Sequence, residues 1–77
     1  MADERVKWIT QAACARAGLT DPTILGQVNG VLNWHWISEE VLAMLEMRDW
    51  KAMGLRPDLF PHIQAAKQLL ESYEYGS

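Results

Sequence analysis

The sequence predicts an all-α fold, a compact bundle of about five helices with a long C-terminal helix. Three observations carry that expectation. Apolar residues recur at three- and four-residue intervals, the spacing that lines one face of a helix. Capping and terminating residues stand at the ends of those periodic segments. No stretch alternates apolar and polar residues as a half-buried strand does.

In the first segment Val6, Ile9, Ala12, Ala13 and Arg16 keep helical spacing, acids stand at its start, and Gly18 is placed to end it. A helix from about Glu4 to Ala17 follows. Thr20, Asp21 and Pro22 then suit an N-cap with a first-turn proline. Ile24, Leu25, Val28, Val31 and Leu32 give this second helix an apolar face, although Gly26 and Gly30 each weaken a helix by about 1 kcal/mol relative to alanine.

The run "NWHW" at 33–36 interrupts the periodicity, and Ser38 with Glu39 and Glu40 restarts it with a cap and two acids at the positive end of the helix dipole. Val41, Leu42 and Leu45 carry one short helix; Asp49, Trp50 and Met53 carry another, which Gly54 stops. Each is shorter than the roughly 12–15 residues an isolated helix needs in water, so packing must hold both. The last helix takes Asp58 as a cap and tolerates Pro61 in its first turn. Its apolar residues Leu59, Ile63, Ala66, Leu70 and Tyr73 make it the longest element.

Length allows one domain over residues 1–77, with an ordered core at about 4–73 and no room for a separate cofactor lobe. At 49% hydrophobic with four tryptophans, the chain is composed to fold. The net charge is -3, and the seven basic residues never adjoin, which argues against a nucleic-acid partner or a polybasic membrane patch. A single cysteine requires no oxidising compartment, and no apolar run is long enough to insert in a membrane. These features predict a soluble intracellular, cytoplasmic chain.

Chemistry finds few footholds. Cys14 has no histidine near it in sequence and reads as a small buried hydrophobe. His35 and His62 lack metal-ligand spacing, and Glu39 and Glu40 are accounted for by the helix dipole. A noncatalytic chain is expected, without cofactor, metal or small-molecule substrate.

The tryptophans say more. Trp34 and Trp36 flank His35 in a connection, and a domain this small does not easily enclose four indoles. An exposed tryptophan there would mark a protein contact.

Ile37, then Leu42 and Leu45, then "DWKAMGL" from Asp49 to Leu55, then "HIQAAKQLL" from His62 to Leu70 follow one another without a gap. Over residues 37–70 this order resembles the sterile alpha motif (SAM) domain family, whose core leucine stands where this chain has Trp50, so the resemblance implies a core place for that indole. The first half diverges: Ala13 and Cys14 occupy the places of the family's tryptophan-leucine pair, the connection from Gly18 to Ile37 is longer, Ser38 and Glu39 replace an aspartate-glycine, and no glycine-x-arginine introduces the last helix.

The resemblance implies a SAM-like bundle that pairs with another SAM-like domain or with itself, as part of a larger scaffold or signalling protein. Family members join an acidic mid-loop surface to an end-helix surface of the next copy. Here the first would hold Glu39, Glu40, Glu46 and Asp49, and the second Leu55, Arg56, Pro57, Phe60 and Lys67. Such a heterologous contact, repeated without closing, makes an open filament. The alternative is a helix or peptide receptor lined by Trp34, Trp36, Met44, Met47 and Met53, with His35 between the indoles. Nucleic-acid binding is a weaker third reading.

Overall fold

The computed structural model describes the backbone of residues 4–76 and the side chains of residues 4–73. It contains α1 (Glu4–Arg16), α2 (Pro22–Trp34), α3 (Glu39–Met44), α4 (Met47–Ala52), a 3-10 turn (Pro57–Leu59) and α5 (Phe60–Gly76), with no strand among the described residues. The fold is therefore all-α, five helices with the longest last.

Local chemistry sets most helix starts. Asp21 caps α2 by accepting from the Thr23 N–H at 2.9 Å, and Pro22 occupies the first turn. Ser38 caps α3 by accepting from the Val41 N–H at 3.3 Å. At the start of α4 the Asp49 carboxylate accepts from the Glu46 N–H at 3.0 Å. Asp58 departs from expectation: it lies inside the 3-10 turn, and its carboxylate approaches Arg56 at 3.4 Å instead of capping α5.

Three helices end in one and the same way. After α1, Leu19 N–H donates to Cys14 O (2.8 Å) and Gly18 N–H to Ala15 O (3.2 Å), with Gly18 at φ 76°. After α4, Leu55 donates to Trp50 O (3.3 Å) and Gly54 to Lys51 O (2.9 Å), with Gly54 at φ 80°. After α2, Ile37 donates to Leu32 O (3.0 Å) and Trp36 to Asn33 O (3.1 Å), but here a tryptophan holds the left-handed position, at φ 55°. Each reversal tucks the next residue, Leu19, Ile37 or Leu55, against the core, the hydrophobic contact that accompanies this closure. The run "NWHW" thus does not break a helix at its first residue: Asn33 and Trp34 complete α2, and the reversal comes at Trp36.

The core gathers on α1 and α5, the two helices with the most extensive mutual contact. Val6, Ile9, Ala13, Leu59, Ile63, Ala66 and Trp50 are almost wholly buried within it. Ala13 of α1 and Ala66 of α5 are wholly buried, and Trp50 packs beside the 3-10 turn. Its ring lies 5.6 Å from that of Phe60, and its indole N–H donates to Arg56 O at 2.6 Å. The buried Thr10 hydroxyl shares its proton between Lys7 O (2.9 Å) and Asn29 Oδ1 (2.7 Å), tying α1 to α2.

Candidate interaction surfaces

The acids of the central helices meet different fates. Glu39, at the first position of α3, is half-buried and forms a two-point ion pair with Arg5 of α1, whose Nη2 donates to Oε1 at 3.0 Å and whose Nε donates to Oε2. Those guanidinium hydrogen bonds hold the Glu39 carboxyl below the usual carboxylate range, against the upward push of partial burial; the charges of Arg5 and Lys67 add to the lowering. Glu39 therefore serves as a brace between α1 and α3. Asp49 is taken up in part by the Glu46 N–H. Glu40 and Glu46 are exposed, and Glu46 receives Arg48 Nη2 at 3.2 Å.

The surface expected at the start of the last helix is smaller than the resemblance implies. Leu55 is 7% exposed and Phe60 5%, so both belong to the core. The 3-10 turn rotates Phe60 inward onto Trp50. Lys67 also leaves that surface. Phe60, Ile63 and Ala66 form the buried stripe of α5, and Lys67 sits at its edge, facing a groove shared with Arg5, Glu39, Glu40, Ala43 and Glu71. There it pairs with Glu71 one turn on. Arg56 and Pro57 alone of the expected set remain outward, Arg56 beside Asp58.

The aromatic connection is open. Trp34 is 80% and Trp36 81% exposed, and His35 between them is exposed as well. Trp34 closes α2 and Trp36 follows the reversal, so they are not alternate residues of an extended segment. Met44 is 72% exposed, whereas Met47 and Met53 pack against the core and contribute no continuous methionine lining. Trp8 sets its ring edge-on to Tyr73, with centroids 6.4 Å apart, across α1 and α5.

Cys14 lies in the core, where burial pushes its thiol up despite an opposing pull from Arg56. His62 is half-buried near the start of α5. Among the described residues no three His, Cys, Asp or Glu side chains gather as a metal ion would need, and no helix is long and apolar enough to cross a membrane.

Two features escape sequence reasoning. The Arg5–Glu39 brace joins residues 34 apart, beyond any local pattern. The other is an absence of charge: all ten acids and seven bases lie outside residues 22–38, the segment that forms α2 and its exit. A count of charged positions along the chain would have found it. No family model, curated protein or solved structure matches this chain.

Proposed function

We propose that this chain is a noncatalytic interaction module of SAM type, associating with another such domain or with itself. The observation that carries the reading is the open pair of indoles at Trp34 and Trp36. Tryptophan is enriched at the energetic centres of protein interfaces. Trp36 in addition holds a left-handed backbone, which disfavours an L-residue by roughly 1–2 kcal/mol relative to the right-handed region. Such a residue costs local stability, the pattern expected where backbone strain serves a contact.

The resemblance over residues 37–70 and the order of two short helices before a long one support the SAM-type reading. In a head-to-tail contact Glu40 and Glu46 would meet Arg56 of the next copy. Two half-blocked variants test this. Glu40→Lys and Arg56→Glu each leave one face intact, so each alone should be monomeric and the mixture should form a one-to-one complex. Failure of the mixture to pair, with both variants folded, rejects the charged head-to-tail route.

A second reading, a receptor for a peptide or helix, is favoured by the exposure of Met44 together with the two indoles. It predicts a monomer whose tryptophan fluorescence changes on adding an apolar helical peptide.

A further inference from the structure

The left-handed closures after α1 and α4 are built on Gly18 and Gly54, and a proline, Pro22 or Pro57, follows each within four residues. Glycine weakens the interior of a helix and proline breaks it, so neither junction straightens readily. The closure after α2 is built differently. Trp36 holds the left-handed position, and residues 31–53 contain neither glycine nor proline. Nothing in that stretch bars one continuous helix over residues 22–44, in which Trp36 would take the favoured right-handed backbone.

The packing divides at the same junction. α2 packs chiefly on α1, and the Thr10–Asn29 hydrogen bond lies within that pair. On the other side, α4 and α5 flank the 3-10 turn. Contacts of α1 with α5 and with α3 hold the two halves together, and the Arg5–Glu39 ion pair is one of them.

We infer that the junction between α2 and α3 is a hinge through which two copies of this chain exchange halves: α2 and α3 straighten into one helix, and α1 of each copy packs on α5 of the other. The inference goes beyond the recognition of one closed domain by another, and it requires no exposed face. Every contact across the division is one the closed chain already makes within itself. The left-handed cost at Trp36, relieved once in each copy, favours exchange. Opposing it are the Ser38 cap and the contact of Ile37 with the core, both given up on straightening, and the repulsion between two copies at net -3. Concentration then decides between closed monomer and exchanged dimer.

The test is refolding from urea at millimolar and at low micromolar concentration, followed by sedimentation velocity. Concentrated refolding should give a mass approaching twice 8.8 kDa, and the dimer should persist on dilution, because α1 must leave α5 before the halves can return. High salt should increase its share, since it screens the repulsion between copies while the ion pairs are the same in both states. Two substitutions at one exposed position separate strain from contact. Trp36→Gly accepts the left-handed backbone and weakens the straight helix, so the dimer dissociation constant should rise about tenfold for each copy, roughly a hundredfold in all. Trp36→Ala removes the indole but keeps the left-handed cost and favours a helix, so the dimer should remain. Circular dichroism checks that both variants fold.

A mixing experiment reads the exchange directly. Arg5→Glu and Glu39→Arg each set like charges together, in the closed chain and in an exchanged dimer of one variant. Refolded together, they restore opposite charges at both places of an exchanged mixed dimer, which native mass spectrometry should find well beyond its statistical share. The Trp36 variants decide the matter even where either charge-reversed chain does not fold alone. A monomer under all conditions overturns the inference and leaves the proposed function standing. So does a dimer that Trp36→Ala and Trp36→Gly abolish alike, which is a contact of the indole. A dimer that salt and Glu40→Lys disperse, or one with no preference for the mixed pair, overturns it as well, the former in favour of the charged head-to-tail route.

Discussion

Arg5 of α1 and Glu39 of α3 grip each other at two points across 34 residues of sequence, fixing the first turn of a six-residue helix to the longest-range partner in its neighbourhood. Planar guanidinium-carboxylate pairing is stronger and more directional than a single contact. Because α3 is too short to stand alone, the pair contributes orientation as well as energy.

Glu39→Gln should lower stability by about 1 kcal/mol at pH 7, a figure reduced for the partial exposure of both partners. In a domain of this size that is a fall of roughly 4–8 °C in Tm. The folded-state pKa of Glu39 lies below the ordinary value of a glutamate carboxyl, so the unfolded chain takes up the proton first as pH falls. The brace is thus fully effective above that value and is lost as pH drops below it, through the folded pKa. Urea midpoints of the two proteins should differ at pH 7 and converge as the solution is acidified toward and below that folded pKa. An equal gap at every pH would contradict the assignment.

Gly18, Gly54 and Trp36 occupy equivalent positions in three equivalent closures, yet substitution should move stability in opposite directions. Gly18→Ala and Gly54→Ala force a Cβ into left-handed backbone and should each cost about 1 kcal/mol. Trp36→Gly should instead gain about 0.5–1 kcal/mol, the relief of strain less the entropy of a new glycine. Chemical denaturation of the three variants against the parent decides it.

Trp50→Phe should be among the most damaging single changes. It opens space in the core and removes the donor to Arg56 O, which lies 2.6 Å from the indole nitrogen. A loss of about 2–3 kcal/mol is expected from the two effects together, read as a lower urea midpoint with unchanged slope.

Thr10→Val keeps the shape of the side chain but leaves the Asn29 side chain without its hydroxyl partner. The expected cost is about 1 kcal/mol. Combining it with Asn29→Leu should recover most of that loss, since removing both polar partners leaves nothing unsatisfied. A double variant no better than the single would show that the site matters through packing alone.

Where structure follows from neighbours in sequence, the chain was legible. Asp21, Ser38, Gly18 and Gly54 act through bonds spanning a few residues, and the helix limits they imply agree with the fold to within a residue or two. Trp50 was readable as core only through the resemblance, which puts a core leucine at its position. Trp36 was not, because a bulky residue in left-handed backbone runs against its own preference and leaves no signature. Phe60 and Lys67 were assigned to a surface by resemblance, but the 3-10 turn sets the rotation of α5. That rotation carries Phe60 inward and brings Lys67 beside α3. Glu39 reads in the sequence as an acid favoured by the helix dipole and as part of the mid-loop set, because its partner Arg5 lies on a helix remote in sequence.

The core rests on α1 meeting α5, helices separated by about 40 residues of intervening chain. Loop-closure entropy must be overcome before that contact stabilises anything, and α3 and α4 have little to pack on until it forms. This arrangement predicts that α3 and α4 become ordered only when α1 and α5 meet, in one late closure. A fragment ending at Leu55 should show little helix, and adding α5 back as a separate peptide should restore it.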